Sequence, residues 1–187
     1  ILMKVLVTGS NGQLGCELNK ISSNYNFDWV FSDIHNFDLS DLKSIDVYLD
    51  KMNPNIIINC AAYTAVNDAE DDFEYANILN HKAVKIIAEW CNYNKCKLIH
   101  ISSDYVYDEN LEMPINENAP TNPINNYGKT KLLGDTACTI MNPDSIIIRT
   151  SWLYSSFGNN FVKEIINLMK QKKQLNVIND QIGSPTY

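Results

Sequence analysis

The sequence is short of positive charge, with 15 Lys and Arg against 22 Asp and Glu and a formal net charge of −7. Proteins bind nucleic acid mainly by neutralising its phosphates with clustered Lys and Arg side chains, and the sequence contains no such cluster. We therefore expect that the protein has no nucleic-acid partner.

Long apolar runs are also missing, because no stretch approaches the ~20 residues that a membrane-spanning helix needs. The apolar N-terminal segment is short and leads directly into a glycine-rich turn, which is typical of a first strand and not of a signal peptide. The five cysteines form no Cys-x-x-Cys step and are odd in number, so they indicate neither a disulfide framework nor a zinc site. These absences favour a cytoplasmic protein that binds no membrane.

What the sequence does contain is a regular alternation of apolar runs and amphipathic segments. Apolar runs that predict strands cover residues 5–8, 29–32, 56–58, 98–101 and 146–148. Between them, apolar residues recur at helical spacing, and we expect Ser40 to cap the second of these helices. We interpret Ile146, Ile147 and Ile148 as a buried strand. The alternation predicts an α/β fold, a doubly wound Rossmann-type parallel sheet with helices on both faces.

A glycine-rich turn, Gly9-Ser10-Asn11-Gly12-Gln13-Leu14-Gly15, lies between the first predicted strand and the first predicted helix. Glycine at such positions permits a tight turn, lets a pyrophosphate approach the backbone and lets the helix pack closely on the strand. The positive end of the helix then faces the phosphates. The position of the turn predicts a dinucleotide-binding loop around Gly9, Gly12 and Gly15.

Asp33 follows the second predicted strand, where an acidic residue commonly binds the adenine ribose hydroxyls. No Lys or Arg lies near it in the sequence, and a carboxylate there would repel the 2′-phosphate of NADPH. We therefore expect NADH to be used at least as well as NADPH. The alternative is that Asp33 is a solvated residue at the end of a strand.

Tyr127 and Lys131 open the helix that follows a proline-containing loop, and their spacing of four places them on one helical face. A phenol is too weak an acid for efficient proton transfer at neutral pH, and we expect the neighbouring ammonium to lower its pKa. We interpret Tyr127 as a proton donor and Lys131 as its partner, which would also reach the nicotinamide ribose. The alternative is an exposed Tyr and Lys at the start of a helix.

A hydroxyl group is expected near this pair. Residues 100–105 end the central predicted strand, at the edge where open α/β sheets bind ligands. Ser103 would polarise a substrate carbonyl while Tyr127 donates the proton and a nicotinamide supplies hydride. Ser102 is the rival for this role, because adjacent strand residues point to opposite faces and the sequence does not decide between them.

Six ordered blocks of the sequence resemble those of the extended short-chain dehydrogenases and, among them, the dTDP-4-dehydrorhamnose reductases. The blocks are residues 9–15, 59–66, 102–107, 127–131, 149–152 and 180–186. Because the blocks run from the first turn to the last residues, the resemblance covers the whole chain.

The resemblance implies roles for individual residues. It makes Tyr127 the proton donor, Lys131 its partner and Ser103 the catalytic hydroxyl, where the family usually has Thr. It also implies that Ser103, Asp104 and Trp152 contact the substrate. The predicted cofactor contacts are Gly9, Gly12, Gln13, Leu14, Gly15, Asp33, Asp38, Leu39, Ala62, Tyr63, Thr64, Tyr127 and Lys131.

The reaction that the resemblance implies is reduction of dTDP-4-dehydro-β-L-rhamnose to dTDP-β-L-rhamnose with NADPH or NADH. This is a step in making the rhamnose donor of bacterial cell-surface polysaccharide, so the expected partner is a sugar nucleotide. A homodimer is a further expectation. Some members of the family bind Mg²⁺ between subunits, through acidic residues in a segment that this chain does not contain, and we predict no metal site here.

We assign residues 1–187 to an NAD(P)-binding Rossmann domain, in which residues from about 151 to 187 begin the substrate-binding region. The sequence ends in the loop-like stretch Gly183-Ser184-Pro185-Thr186-Tyr187, without a closing helix or strand. We therefore expect that the chain is truncated at its C-terminus and lacks most of the small substrate region.

Two alternatives remain for the function. Another sugar-nucleotide 4-keto reductase or epimerase of the superfamily would share the cofactor site. A non-catalytic regulatory subunit would resemble the β subunit of methionine adenosyltransferase, which has similar Ser-Ser-Asp-Tyr and Tyr-x-x-x-Lys blocks. The stretch Ser151-Trp152-Leu153-Tyr154 resembles the reductases and favours the enzyme.

Overall fold

A computed structural model describes residues 2–108 and 114–187 and contains one parallel sheet of five strands. The strands are β1 (Lys4–Thr8), β2 (Asp28–Ser32), β3 (Ile56–Asn59), β4 (Lys97–Ser103) and β5 (Ile146–Thr150). Their spatial order is β2-β1-β3-β4-β5, and each neighbouring pair is parallel. This order confirms the predicted doubly wound α/β fold.

Helices connect the strands. They are α1 (Gln13–Ser22), α2 (Ile45–Met52), α3 (Phe73–Asn77), α4 (Ala83–Asn94), α5 (Asn126–Met141) and α6 (Phe161–Gln171). The shorter turns are 3-10 helices at Asp68–Glu70 and Asp104–Val106 and a π-helical turn at Ile78–Lys82. No helix in the described part of the chain is long and apolar enough to cross a bilayer.

The predicted cap at Ser40 is wrong, because α2 begins only at Ile45. The backbone N–H of Ser40 donates instead to the Asp38 carboxylate (2.8 Å), in a turn that precedes the helix. Short polar side chains compete with helices for backbone groups in this way. The bond to Asp38 therefore favours a turn at the place where the helix was expected to start.

The main core lies between the sheet and a layer formed by α2, α4 and α5. Leu6, Ile57 and Leu98 lie side by side in register across β1, β3 and β4, and all three are buried. Leu49 of α2 and Ile87 of α4 belong to the same buried cluster. The connection from β1 to β2 crosses the sheet in one direction, and the later connections cross it in the opposite direction. Because such connections are right-handed, α1 lies on the face of the sheet opposite to α2, α4 and α5.

The direction of the connections reverses between β1 and β3, and open sheets bind ligands at that point, outside the carboxyl ends of their strands. Gly9 directly follows β1, Cys60 follows β3 and Asp104 follows β4. The fold therefore gathers the predicted site residues at one edge of the sheet.

The prediction that β5 is a buried strand is wrong for two of its residues. Ile146 is 56% exposed and Ile148 is 43% exposed, whereas Ile147 between them packs against the main core. β5 is an outer strand of the described sheet, and alternate side chains of a strand point to opposite faces. In the described part of the chain, one face of β5 is therefore covered and the other is open to solvent.

We predict that Ile57→Ala lowers the free energy of unfolding by about 2–5 kcal/mol, because it leaves a cavity at a fully buried position of the middle strand. Urea denaturation followed by circular dichroism measures the change. Val47→Ala, at a position that is 69% exposed, is the control and should cost less than about 0.5 kcal/mol. Equal losses for the two variants would contradict this description of the core.

Candidate active site

A crevice of about 640 Å³ lies at the carboxyl edge of the sheet. Predicted site residues that line it are Gly9, Gly12, Gln13, Leu14, Gly15, Asp33, Asp38, Leu39, Ala62, Thr64, Ser103, Asp104, Tyr127, Lys131 and Trp152. Ser102 lines it as well. Tyr63 is not among the lining residues, because its ring packs edge-on against that of Tyr75, with centroids 6.0 Å apart. A contact between Tyr63 and the cofactor stays a prediction.

The turn after β1 requires glycine at two positions. Gly9 has a φ of +62°, and a Cβ there would lie 2.7 Å from the backbone of Ala61. A Cβ on Gly15 would lie 2.5 Å from the carbonyl oxygen of Gly9. Since neither gap admits a side chain, α1 packs directly on the turn.

The first turn of α1 presents backbone N–H groups to the crevice. The first N–H groups of a helix have no partner within it, and the cap residue Gly12 has no side chain to supply one. Gly12, Gln13 and Leu14 all line the crevice. A helix N-terminus of this kind attracts anions through its N–H groups and its dipole. The start of α1 is therefore suited to an anionic group such as a pyrophosphate.

Asp33 begins the loop after β2 and lines the crevice with the glycine turn. Its carboxylate accepts hydrogen bonds from the Asn11 side chain and from the backbone N–H of His35 (2.9 Å). None of the ion pairs within residues 2–108 and 114–187 includes Asp33. The two bonds hold an uncompensated carboxylate at the end of β2, where the adenine ribose is expected.

Helix α5 contributes Tyr127 and Lys131 to the lining of the crevice. The side chain of Asn125 caps this helix by accepting the N–H of Gly128 (2.7 Å). Gly128 has no room for a Cβ, because the carbonyl oxygen of Tyr105 lies directly against it. This approach brings the Tyr127 ring edge-on to that of Tyr105, with centroids 5.5 Å apart.

Ser102 and Ser103 face different neighbours, as adjacent strand positions do. Ser103 faces Tyr127, where its hydroxyl acts to lower the phenol pKa, and it accepts the backbone N–H of Tyr105 (3.2 Å). Ser102 faces the carboxyl of Asp135, whose pKa is raised by burial, and the Ser102 hydroxyl acts against that rise. Ser103 is therefore the serine beside the phenol, and its catalytic role stays a prediction.

The expected effect of Lys131 on the Tyr127 pKa is wrong for this structure. Burial raises the pKa of the phenol, the Ser103 hydroxyl acts against that rise, and the Asp104 carboxylate adds to it. Lys131 does not offset the rise, since its Nζ donates to the carbonyl oxygen of Ile101 (2.7 Å). A phenol with a raised pKa keeps its proton at neutral pH and is a weaker acid than a free phenol.

Lys131 is one of the most deeply buried large side chains of the protein, with 1% of its surface exposed. Burial lowers its pKa to about 8, and the carboxylate of Asp135 acts in the opposite direction. Lys131 therefore loses its proton as the pH rises through about 8. Below that pH it is a buried cation, whose field acts more strongly than it would in water.

Asp104 and Cys60 add two further polar groups to the lining of the crevice. Burial raises the pKa of the Asp104 carboxyl, while the Ser103 hydroxyl and nearby backbone N–H groups lower it. Burial also raises the pKa of the Cys60 thiol to about 12, so this thiol is neutral at physiological pH and not a nucleophile. Across the described ranges, no three His, Cys, Asp or Glu side chains are grouped to hold a metal ion.

Trp152 follows β5, and its backbone is strained. Its φ of 46° lies in the left-handed region, which costs a residue other than glycine on the order of 1–3 kcal/mol. The N–H of Thr186 donates to the Trp152 carbonyl oxygen (3.3 Å). Gly183 packs so closely on the indole that a Cβ there would lie 2.5 Å from Nε1. The segment at 183–186 thus holds Trp152 in its strained conformation.

The sequence analysis missed Asn80, which lies in the π-helical turn and is fully buried. Its side chain accepts the N–H of Tyr63 (2.9 Å) and donates to the Tyr63 carbonyl (3.1 Å) and to Thr130 Oγ1 (3.1 Å). The Thr130 hydroxyl in turn donates to the carbonyl oxygen of Tyr127 (2.8 Å). Asn80 thus connects the loop after β3 to α5 through hydrogen bonds. The sequence does contain a signal for Asn80, because this polar residue lies four residues after Ala76, within a stripe of apolar residues at helical spacing.

We predict that Asn80→Ala lowers the free energy of unfolding by about 2–4 kcal/mol, because each group left without a partner costs about 1–3 kcal/mol. Urea denaturation again provides the measurement. Asn94→Ala is the matched control, since the Asn94 side chain also donates to a backbone carbonyl, that of Trp90 (3.0 Å), but lies at an exposed position. A loss at Asn80 no larger than the loss at Asn94 would show that the Asn80 bonds contribute little.

Known proteins are similar to this chain in sequence and in fold. The family model described as RmlD substrate binding domain matches residues 3–187. The chain is similar to the dTDP-4-dehydrorhamnose reductase of Salmonella typhimurium, with 39% identity over 98% of this chain and 62% of that protein. It is also similar to the dTDP-4-keto-6-deoxy-D-glucose reductase of Streptomyces niveus, with 36% identity over 97% of this chain and 64% of that protein.

A solved structure extends the similarity to the three-dimensional fold. The dTDP-4-dehydrorhamnose reductase of Bacillus anthracis, in complex with NADP, has a TM-score of 0.96 and 36% identity over 100% of this chain and 66% of that chain. The present chain therefore spans less than two-thirds of the length of each of these three proteins. The matched part includes all five strands and every residue that lines the crevice.

Proposed function

We propose, since the chain belongs to the dTDP-4-dehydrorhamnose reductase family, that it is the nucleotide-binding part of an enzyme that reduces dTDP-4-dehydro-β-L-rhamnose to dTDP-β-L-rhamnose. The observation that carries this proposal is the meeting of Ser103, Tyr127 and Lys131 in the crevice that also contains the glycine turn. A hydroxyl, a protonated phenol and a buried cation beside a dinucleotide cradle are the groups that carbonyl reduction requires.

The cradle would hold NADH or NADPH. The glycine turn and the start of α1 would bind the pyrophosphate, Asp33 the adenine ribose and Lys131 the nicotinamide ribose. The remaining contacts along the cofactor would come from Asp38, Leu39, Ala62, Tyr63 and Thr64. When bound, the nicotinamide supplies the hydride.

Side chains of this protein would bind the carbonyl oxygen of the substrate and supply the proton. Ser103 donates a hydrogen bond to the substrate carbonyl and Tyr127 transfers its proton to the same oxygen. The raised pKa of Tyr127 keeps the proton on the phenol until negative charge develops on that oxygen. Lys131 would act at the nicotinamide ribose, which it would hold beside this phenol.

Asp104 and Trp152 would contact the sugar. The Trp152 indole is 48% exposed and lines the crevice, so it offers a flat apolar surface to a sugar ring. The relatives are longer than this chain, and we propose that a segment corresponding to their remaining length completes the sugar-nucleotide pocket. The product would serve, in the cytoplasm, as the rhamnose donor for cell-surface polysaccharide. Assembly as a homodimer stays a prediction.

A second candidate substrate is a different dTDP-4-keto-6-deoxy sugar. The 36% identity to the Streptomyces niveus reductase favours it, and the chemistry of the crevice is the same for both substrates. A panel of dTDP-4-keto-6-deoxyhexoses separates the two candidates, because NMR of the products shows which sugar is reduced and with which configuration at C4.

We predict that Tyr127→Phe lowers turnover by about 10²–10⁴-fold, since it removes the proton donor and leaves the ring in place. The measurement follows NAD(P)H absorbance with dTDP-4-dehydro-β-L-rhamnose and the full-length protein. Tyr93→Phe, at a position that is 87% exposed, removes a hydroxyl outside the crevice and should retain full turnover. Full turnover in Tyr127→Phe would make the proton-donor assignment wrong.

We predict that NADH is used at least as well as NADPH and that Asp33→Asn raises the preference for NADPH by about tenfold, because it removes the charge that repels the 2′-phosphate. The ratio of kcat/KM for the two cofactors is the measurement. Asp28→Asn removes a carboxylate at the other end of β2 and is the control. A strong preference for NADPH in the unmodified protein would overturn the role of Asp33.

A further inference from the structure

Three polar residues form a continuous buried row along one face of α5. Tyr127, Lys131 and Asp135 follow one another at a spacing of four, which places them on the same side of a helix. Their exposed fractions are 9%, 1% and 2%. The first two belong to the proposed catalytic centre, whereas Asp135 is absent from the lining of the crevice. Asp135 is therefore a buried carboxyl group behind the catalytic pair.

The Asp135 carboxylate is anchored on the side away from the crevice. Arg149 of β5 donates through Nε to Asp135 Oδ2 (3.0 Å), and its Nη1 donates to the hydroxyl of Tyr107 (2.8 Å) and to the carbonyl of Glu117 (3.3 Å). These bonds hold the guanidinium in a fixed place, and a fixed guanidinium fixes the carboxylate that it contacts. The other oxygen of Asp135, Oδ1, is held in the buried interior, 3.9 Å from Nε2 of His100.

Few charged groups face Lys131 from the elements around it. Within residues 2–108 and 114–187, the titratable neighbours are Tyr127, Asp135 and Cys138 on α5, His100 on β4 and, beyond Asp135, Arg149 on β5. The pKa of His100 lies well below its usual value, because burial and the Lys131 charge both lower it, so this ring is neutral at pH 7. Burial raises the pKa of the Cys138 thiol to about 12, so it is neutral as well.

We propose that Asp135 is a positioning residue of the reductase centre, whose Arg149-anchored carboxylate is the buried counter-charge that keeps Lys131 in its ammonium form. This inference rests on the proposed function only for its catalytic consequence. Asp135 would act on the cofactor ribose through Lys131, without touching the ribose.

Burial and charge act on the pKa of Lys131 in opposite directions. Burial lowers the pKa of Lys131 to about 8, and Asp135 is the carboxylate that acts against this fall. Removal of the Asp135 charge takes away the main charge that opposes the effect of burial, so the pKa of Lys131 falls further. Lys131 would then lose its proton at a lower pH, and the ammonium that would bind the nicotinamide ribose would be absent at neutral pH.

The decisive experiment measures Lys131 itself. The ¹³Cε resonance of Lys131, in protein labelled with ¹³C-lysine and assigned with Lys131→Arg, is followed against pH in the unmodified protein and in Asp135→Asn. The expected result is a fall in the Lys131 midpoint by about one pH unit or more, which is a tenfold change in its acid dissociation constant. An unchanged midpoint in Asp135→Asn overturns the proposal.

Three further variants separate charge from structure. Asp135→Glu keeps the carboxylate, and its Lys131 midpoint should lie close to that of the unmodified protein. Asp135→Ser is neutral and smaller, and it repeats the test if the Asn variant does not fold. Asp144→Asn removes a carboxylate that is 83% exposed and pairs with Lys97, and it should leave the midpoint in place. A midpoint that falls equally in Asp135→Glu would show that packing, and not charge, controls Lys131.

The catalytic consequence has its own measurement. The alkaline limb of the kcat profile, in the full-length enzyme, should move to lower pH in Asp135→Asn by as much as the NMR midpoint does, and an unmoved limb overturns the catalytic part of the inference. The NMR titration needs neither cofactor nor substrate. If the protein reduced no 4-keto sugar, the proposed function would fail while the effect of Asp135 on Lys131 would still be measured.

Discussion

The close approach of α5 to the backbones around it is the constraint on which the site depends. Gly128 and Gly134 face the carbonyl oxygens of Tyr105 and Asn80, and neither has room for a Cβ. Because these backbones lie in direct contact, the phenol of Tyr127 reaches the end of β4. A side chain at either glycine would move the helix away from the sheet, and reacting groups that lose their alignment lose much of their effect.

Local patterns in the sequence were sufficient for the fold and for most of the crevice. The first strand, the glycine turn and α1 each have a short-range signal, and parallel strands bring their carboxyl ends to one edge. Which of Ser102 and Ser103 lies beside Tyr127 needed the structure, because it depends on the face that each side chain takes in the sheet. The extra turn before α2 depends on one Asp38 hydrogen bond, which competes with a good helical pattern.

Burial and long-range contact account for what the sequence could not show. β3 and β5 both contain three consecutive Ile residues, yet β3 is the middle strand and β5 is an outer strand of the described sheet, so their side chains differ in exposure. The pKa of Tyr127 rises because burial outweighs the polar groups around it, a balance that no residue spacing encodes. Asn80 and Thr130 meet across 50 residues of sequence, so neither one alone indicates the bond.

The π-helical turn at Ile78–Lys82 has a consequence for how this segment can change in length. A π turn is a local insertion into a helix that is otherwise α-helical, and here it joins α3 to α4. Deletion of one residue would restore regular α-helix and rotate one side of the turn against the other by about 100°. Asn80 would then leave the position from which it reaches Tyr63 and Thr130. The number of residues between α3 and α4 is thus constrained more strictly than the identity of most of them, and homologous chains should accept substitutions here, Asn80 excepted, far more readily than single-residue gaps.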